Sequence, residues 1–332
     1  MGFMGKLSDN PMQTETLNSQ VLAIRNLRLT FNTGQNTVTA LRGLDLSLNH
    51  GEILAIVGES GSGKSVTGLS LLRLHGKNAA LSGEIHFLGT DLLQLSDDEM
   101  RKYRGGKIAM IFQEPMTALN PVFTVGFQIN EVIKLHGGLS GEAAEKRAVE
   151  LLGKVGIPEP ELRLKSYPFQ LSGGMRQRIL IAMALAASPE ILIADEPTTA
   201  LDVTIQSQIL RLLREINETE KTTMMFITHD LGIVAKLAHR VAVMYAGEIV
   251  ESGTVGEIFS GAKHPYTQAL LASVHDAPRG QKLFAIAGSP PPLTQIPAGC
   301  AFAPRCAYAE ARCREKISVQ TAGDRFWRCI RT

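Results

Sequence analysis

"EILAIV" (52–57), "GESGSGKS" (58–65) and "VTGLSLLRL" (66–74) follow one another without a break, and together they decide the fold. The first is a continuous apolar run of strand length, as expected of a strand buried on both faces. The second fits G-x-x-x-x-G-K-[ST], whose glycines let backbone N–H groups turn toward phosphate oxygens. The third has the pattern of a helix, whose N-terminus favours an anion. Strand, glycine loop and helix predict a phosphate loop; a flexible glycine turn with a chance match is the alternative.

The phosphate loop supplies most of the candidate nucleotide-binding residues. Lys64 would place a point charge on the β- and γ-phosphates of ATP, and the hydroxyl of Ser65 can ligate Mg²⁺. The residues predicted to bind the nucleotide here are Gly58, Glu59, Ser60, Gly61, Ser62, Gly63, Lys64 and Ser65.

"EILIADEP" (190–197) predicts a second part of the same site. A buried apolar strand ends there in two carboxylates, Asp195 and Glu196. Strand ends in parallel α/β sheets point at the ligand crevice, so a solvated acidic pair in a loop is the weaker alternative. We expect Asp195 to hold Mg²⁺, directly or through water, and Glu196 to polarise the attacking water.

The rest of the chain alternates strand and helix patterns. Apolar runs at 107–112 and 222–228 predict further strands, and residues 21–31 and 37–48 predict a strand pair. From about 115 to 187 the pattern is mostly helical. This alternation indicates an α/β fold with a sheet flanked by helices. The formal net charge of the 332 residues is only +2, without a long basic tract, so the sequence gives no electrostatic support for nucleic-acid binding.

"LSGGMRQR" (171–178) is similar to the signature sequence of ABC-transporter ATPases, which combine it with a phosphate loop. The resemblance covers roughly residues 21–260. It implies an ABC cassette: a mixed-sheet core, an antiparallel β subdomain and a helical signature subdomain at about 115–187. Ser172, Gly173 and Gly174 could open a helix whose N-terminus meets a γ-phosphate. The family achieves this by head-to-tail dimerisation, so the resemblance implies a second ATPase subunit, identical or similar.

Four further residues match family elements, and their roles are implied by the resemblance. Phe31 stands where an aromatic ring would stack on adenine, although an ordinary strand aromatic is an equal alternative. Gln113 matches the glutamine that contacts Mg²⁺ and the attacking water. Asp202 in "TALD" would face the partner subunit. His229 in "ITHD" matches the histidine that touches the γ-phosphate and holds Glu196.

"IFQEPMTALNPVFTVG" (111–126) and "HPYTQALL" (264–271) resemble the dipeptide and oligopeptide importer branch of this family. That branch implies an ATP-hydrolysing subunit on the cytoplasmic side of the cell membrane, with two transmembrane permeases and an extracytoplasmic peptide-binding protein as partners. Importers of nickel, glutathione or antimicrobial peptides stay open as alternatives. A soluble ABC ATPase acting on DNA or ribosomes, and a non-catalytic regulatory subunit, are the more distant ones.

Composition divides the chain into three parts. Residues 1–20 are polar, lack an apolar core of signal-peptide length and are expected to be disordered. Residues 21–260 form the predicted ABC domain. Residues 261–332 form a C-terminal extension in which proline and glycine rise and all four cysteines occur.

The cysteines follow the pattern Cys300-x5-Cys306-x6-Cys313-x15-Cys329. Four thiolates close in sequence can surround one soft metal centre, but the C-x2-4-C knuckles usual for structural zinc are absent from the sequence. The importer branch carries a similar set that holds a [4Fe–4S] cluster, which suits four cysteines. The resemblance therefore favours a structural cluster over zinc or unligated thiols. Neighbouring arginines, Arg305 among them, could offset thiolate charge or lie on the solvated surface.

Overall fold

The structure is a computed structural model that describes residues 20–34, 36–113, 118–199, 201–274 and 286–331. The predicted disorder of residues 1–20 therefore falls, except for Gln20, outside the described residues. The strands are β1 (Gln20–Asn32), β2 (Thr37–Asn49), β3 (Ile53–Val57), β4 (Ala79–Phe87), β5 (Thr90–Asp91), β6 (Ile108–Ile111), β7 (Ile191–Asp195), β8 (Thr223–Thr228), β9 (Arg240–Tyr245), β10 (Glu248–Thr254), β11 (Gln320–Ala322) and β12 (Arg325–Trp327).

The α-helices are α1 (Lys64–Leu71), α2 (Asp97–Tyr103), α3 (Val125–Val132), α4 (Glu142–Lys154), α5 (Pro160–Leu164), α6 (Gly173–Leu185), α7 (Val203–Glu220), α8 (Leu231–Leu237), α9 (Val255–Gly261) and α10 (Pro265–Val274). A π-helical turn (Ile133–Gly137) continues α3, and short 3₁₀ turns occur at Pro168–Gln170, Ala303–Arg305 and Ala311–Arg314. Among the described helices, none is both long enough and apolar enough to cross a bilayer.

The larger sheet has the strand order β11-β12-β10-β9-β3-β8-β7-β6. The five strands from β9 to β6 are parallel, and β10, β12 and β11 extend them in antiparallel pairing. Every residue of β3, β7 and β8 is buried, which explains why these strands are mostly apolar. The predicted α/β fold with a mixed sheet is confirmed.

A second sheet, in the order β2-β1-β4-β5, is antiparallel and covers one face of the first. Side chains along β7 alternate between the two faces of the larger sheet. Ile191 and Ile193 pack toward the second sheet, and Leu192 and Ala194 pack toward the helices. The predicted strand pair at 21–31 and 37–48 is β1 and β2, and the two are paired as expected.

The helical segment between β6 and β7 contains α3 to α6 and packs around one apolar core with α7. Its described part agrees with the predicted helical stretch, although residues 114–117 lie outside the description. The strands β11 and β12 come from the predicted C-terminal extension, yet they join the larger sheet through β10. The division into segments ending at 20 and 260 remains a prediction.

Candidate active site

Four strands of the parallel sheet end at the edge where the predicted site residues lie. The phosphate loop follows β3, Gln113 follows β6, Glu196 follows β7 and His229 follows β8. Carboxyl ends of parallel strands share one edge of the sheet, so residues that are far apart in sequence come together there.

Lys64 is buried at the start of α1, with 6% of its surface exposed. Its Nζ donates hydrogen bonds to the carbonyl oxygens of Gly58 (2.8 Å) and Glu59 (3.0 Å). Burial lowers the pKa of Lys64, and the carboxylates of Glu196, Asp195 and Glu59 oppose that shift. The ammonium of Lys64 therefore lies against the backbone of the phosphate loop, where bound phosphate oxygens would neutralise its charge.

The backbone of the phosphate loop requires glycine at its first position. A Cβ on Gly58 would lie 2.1 Å from the carbonyl oxygen of Met244, a contact that no side chain tolerates. The strand β9 thus passes directly behind the loop. The described positions of the loop residues agree with the predicted strand–loop–helix arrangement.

Ser65 and Asp195 are two of the three predicted magnesium ligands, and Gln113, the third, is hydrogen-bonded to Glu196. The Ser65 hydroxyl donates to Oδ1 of Asp195 at 3.0 Å, and only 5% of Asp195 is exposed. Burial raises the pKa of Asp195, while the hydrogen bond from Ser65 opposes the rise. A hydroxyl and a carboxylate are oxygen donors of the type that Mg²⁺ prefers, so these two residues fit the ion.

Glu196 is the centre of the hydrogen-bonded group. One carboxylate oxygen accepts from Nδ1 of His229 at 3.1 Å, and the other accepts from Nε2 of Gln113 and from the Thr199 hydroxyl, both at 2.9 Å. The residue itself has a left-handed backbone with φ 45°. Strained backbone of this kind clusters at functional sites. The structure thus brings together three residues that the sequence assigned to catalysis.

The pKa of Glu196 reflects two opposing effects. Burial alone would raise it, but hydrogen bonds from His229 and Thr199, together with the electrostatic effects of His229 and Lys64, hold it below its ordinary value. The carboxylate is therefore ionised at neutral pH and accepts, rather than donates, hydrogen bonds. The sequence did not identify Thr199 as a partner of Glu196. The only indication was a hydroxyl side chain three residues after that carboxylate.

Ser172 and Asp202 both serve as helix N-caps. The Ser172 hydroxyl accepts from the backbone N–H of Met175 at 3.3 Å at the start of α6, and Asp202 accepts from Ile205 at 2.9 Å at the start of α7. Gly174 lets α6 approach α7, because a Cβ there would lie 2.8 Å from Ile205. Gly173 and Ser172 have no contact with the phosphate loop among the described contacts. Their predicted role across a dimer stays a prediction.

Phe31 lies at the end of β1 and meets the ring of His75 edge-on, with centroids 6.0 Å apart. Part of the ring is exposed. The contact does not decide whether Phe31 stacks on adenine, so that role stays a prediction.

The four cysteines, all free thiols, line one small cavity together with His264, Phe302 and Arg331. Gly299 permits this arrangement, because a Cβ there would lie 2.2 Å from the carbonyl oxygen of Cys313. Backbone N–H groups donate to three of the sulfurs: Tyr308 to Cys306 (3.4 Å), Glu310 to Cys313 (3.5 Å) and Arg331 to Cys329 (3.5 Å).

The described residues contain no group of three or more His, Cys, Asp or Glu side chains arranged to hold a metal ion. The structure therefore does not support the predicted cluster or zinc ion at Cys300, Cys306, Cys313 and Cys329. Burial raises the pKa of Cys300 to about 11 and also raises the pKa of Cys306 and Cys329. Thiols with raised pKa values stay protonated at neutral pH, and two of them, Cys300 and Cys306, pack against the apolar cluster around α10.

Two family models match the chain. The model "ABC transporter" matches residues 41–199, and the model "Oligopeptide/dipeptide transporter, C-terminal region" matches residues 250–313. The first includes the phosphate loop, the Ser172 segment and Glu196. The second includes α10 and three of the cysteines.

Curated relatives match nearly the whole chain. The oligopeptide transport ATP-binding protein OppD of Bacillus subtilis (strain 168) is 55% identical over 295 residues, which are 88% of this chain and 82% of the relative. The dipeptide transport ATP-binding protein DppD of Lactococcus lactis subsp. cremoris (strain MG1363) is 53% identical over 295 residues, 88% of this chain and 84% of the relative.

Solved structures with the same fold include the dimeric, post-hydrolysis ATP-binding cassette MJ0796 bound to ADP and Pi. It is 32% identical, with a TM-score of 0.63, and the match covers 70% of this chain and 98% of that cassette. CbiO1 from Clostridium perfringens, part of an ABC transporter complex, gives a TM-score of 0.63 at 29% identity, covering 73% of this chain and 92% of its own.

Proposed function

This chain belongs to the ATP-binding subunits of ABC transporters, a family of ATPases, and on that premise we propose that it hydrolyses ATP to power the import of di- or oligopeptides. The observation that carries the proposal is the Glu196 carboxylate, which is held by His229, Gln113 and Thr199 at the edge of the sheet. That edge also presents Lys64 and the Ser65–Asp195 pair.

Each residue has a distinct part in γ-phosphoryl transfer to water. Lys64 and the loop N–H groups bind the β- and γ-phosphates, whose charge grows on the equatorial oxygens in the transition state. Ser65 and Asp195 would hold Mg²⁺, which neutralises phosphate charge when it is bound. Glu196 accepts a hydrogen bond from the attacking water, and His229 fixes the orientation of that carboxylate. Gln113 contacts the same carboxylate and closes the site toward the helical segment.

The site is completed in the proposal by a second subunit. Ser172 lies exposed at the N-terminus of the 13-residue helix α6, whose dipole favours an anion. In a head-to-tail dimer, this terminus would meet the γ-phosphate held by the phosphate loop of the other subunit, and Asp202 would face that subunit. A dimeric solved cassette bound to ADP and Pi supports this arrangement.

The cargo and the membrane partners are proposed from the relatives. OppD and DppD are described as oligopeptide and dipeptide transport ATP-binding proteins, which favours peptides over nickel, glutathione or antimicrobial peptides. Two stacked aromatic pairs, Phe123–Phe127 and Tyr167–Phe169, lie exposed on the helical segment that follows Gln113. They offer an apolar surface for a helix of each permease, so the chain would work at the cytoplasmic face of the membrane. An extracytoplasmic binding protein would deliver the peptide.

We propose that the four cysteines hold a [4Fe–4S] cluster, with a single zinc ion at the same site as the alternative. All four thiols line one cavity, and backbone N–H groups donate to three of the sulfurs, an environment that is compatible with four-cysteine ligation of a cluster. Against it stands the lack of a metal-holding group in the described residues. Protein purified without oxygen would show about four irons per chain and brown absorption if the proposal holds. Colourless protein with zinc, or with no metal, would overturn it.

The transport proposal is tested in proteoliposomes that contain this chain, its permease partners and its partner ATPase. We expect ATP inside the vesicles to drive uptake of a labelled dipeptide or oligopeptide delivered by the binding protein. The matched control replaces this chain with the Glu196→Gln variant, which should bind ATP without driving uptake. Uptake of nickel or glutathione, but not of peptide, would show that the chain serves an importer of that other solute. ATP hydrolysis without uptake of any of these solutes would overturn the transport role.

A further inference from the structure

Glu59, the second residue of the phosphate loop, is hydrogen-bonded to two residues from the C-terminal part of the chain. The guanidinium of Arg305 donates to both carboxylate oxygens, from Nη1 to Oε2 at 2.6 Å and from Nη2 to Oε1 at 3.0 Å. The backbone N–H of Glu59 donates to the Tyr266 hydroxyl at 2.8 Å. Both contacts join residues more than 200 positions apart in sequence.

The remaining polar group of Glu59 faces the other way, into the loop. Its carbonyl oxygen accepts from Nζ of Lys64 at 3.0 Å and from the backbone N–H of Ser62 at 3.2 Å. A continuous series of contacts therefore runs from Arg305 through Glu59 to the ammonium that would bind the phosphates.

Arg305 is built into its position. Only 4% of its side chain is exposed, and its remaining donors reach the carbonyl oxygens of Ala287 (2.9 Å) and Gly288 (3.2 Å) and the Tyr245 hydroxyl (3.3 Å). Arg305 takes neither of the two predicted positions, beside the thiolates or on the solvated surface: it points at the phosphate loop. Arg331 lines the cysteine cavity. A planar guanidinium with several donors in a rigid fork fixes direction as well as charge.

We propose that Arg305 is a positioning residue of the ATP site: it holds Glu59 so that the phosphate loop and Lys64 keep the geometry that binds nucleotide. The inference rests on the proposed ATPase function and adds to it a residue outside the recognised motifs. A bidentate pair in which Arg305 is buried and Glu59 is partly exposed contributes little net stability, because the charges lose water, but it fixes geometry. Since Arg305 immediately precedes Cys306, this contact also joins the cysteine cavity to the phosphate loop.

The test compares nucleotide binding and turnover in the full-length chain. Arg305→Gln should raise both the Kd for a fluorescent ATP analogue and the KM for ATP about tenfold, the loss expected for hydrogen bonds to a charged group. The kcat at saturating ATP should stay within about twofold, because binding to the ground and transition states falls equally. Arg305→Lys, which keeps the charge and one donor direction, should recover part of the affinity.

A matched control is Arg312→Gln, which removes an exposed arginine that pairs with Glu310 in the same C-terminal region. It should leave Kd and KM as in the parent chain. Glu59→Gln removes the carboxylate from the loop side and should raise the Kd as Arg305→Gln does. The double variant should be no worse than either single variant, because the two residues act as one unit.

The possible results distinguish failure of the positioning role of Arg305 from failure of the proposed ATPase function. A parent chain that binds ATP, with Arg305→Gln lowering only the melting temperature, would overturn the positioning role and leave Arg305 as an anchor of the tail. If Arg305→Gln fails to fold, Glu59→Gln decides alone: an unchanged Kd overturns the proposal, and a tenfold rise supports it. A parent chain that does not bind ATP would instead overturn the ATPase function.

Discussion

The ATP site and the cysteine region hold their reactive groups in opposite ways. Glu196 is held by side chains from three different loops, those of Gln113, Thr199 and His229. The thiols of the cysteine region (residues 297–331) receive hydrogen bonds from backbone N–H groups of their own segment, as Cys306 does from Tyr308. One site depends on the meeting of distant loops, and the other on the local path of a single tail.

The two regions also differ in charge. Hydrogen bonds hold the pKa of Glu196 below its usual value, so this site is ionised before any ligand arrives. Burial raises the pKa of Cys300 to about 11 and also raises the pKa of Cys306 and Cys329, so these three thiols stay neutral unless a metal displaces their protons. The ATP site is therefore prepared for its substrate by the fold alone, whereas the cysteine region would need its ligand to become charged.

The largest expected effect is the loss of ATP hydrolysis when Glu196 in the ATP site is replaced. Glu196→Gln should lower the rate of phosphate release about 10²–10³-fold, because an amide cannot accept the proton of the attacking water. ATP binding should persist, and an ATP-bound dimer should accumulate on size exclusion. The control is Glu215→Gln, an exposed carboxylate paired with Arg211 on α7. A variant that released phosphate at the parental rate would show that another group activates the water.

Lys64→Ala should weaken ATP binding about 10–100-fold, the effect of losing charge-assisted hydrogen bonds to phosphate. It also removes one hydrogen bond from each of the carbonyl oxygens of Gly58 and Glu59. Titration with a fluorescent nucleotide measures the change, with Lys102→Ala, an exposed lysine of α2, as the control. A change of less than about threefold would mean that the loop amides alone hold the phosphates, and the contrast between the two regions would weaken.

The cysteine region is tested by comparing Cys313→Ser, at a buried position, with Cys306→Ser, at a partly exposed one. If all four thiols hold one cluster, each change should remove the iron and lower the free energy of unfolding by about 2 kcal/mol. If the thiols are only core atoms, Cys313→Ser should cost more than Cys306→Ser. Iron assays and thermal unfolding without oxygen, on both variants and the parent chain, distinguish the two.

The smallest effect concerns pH. The Thr199 hydroxyl helps to keep the pKa of Glu196 low, so Thr199→Val should raise that pKa. If Glu196 activates the water, its ionised form is the active one and activity is lost as pH falls through its pKa, so the acid limb of kcat/KM should move to higher pH. At neutral pH the rate should fall about two- to tenfold, as for one lost hydrogen bond. Thr219→Val, an exposed threonine of α7, is the control, and an acid limb that did not move would exclude Thr199 from setting the pKa.

Much of the fold was predictable because it depends on local pattern. The apolar runs that predicted strands at 52–57, 190–195 and 222–228 are β3, β7 and β8. The phosphate loop was recognisable because its glycines are demanded by backbone conformation, as the close approach of Met244 to Gly58 shows. Thr199 and Arg305 were not found in their roles, because a hydroxyl or guanidinium gives no sign in sequence of the carboxylate that it will meet.

The sequence by itself determined the order of strands and loops, the phosphate loop, the acidic strand end and the family to which they belong, because each follows from a short run of residues and its backbone requirements. Only the tertiary structure decided that Glu196 has three side-chain partners, that Arg305 from the tail holds Glu59, and that the four cysteines line one cavity. The contacts of Gln113 and His229 with Glu196, and of Arg305 with Glu59, join segments far apart in the chain. Their geometry exists only after the sheet has brought its strand ends to one edge and β12 has fixed the tail beside β10.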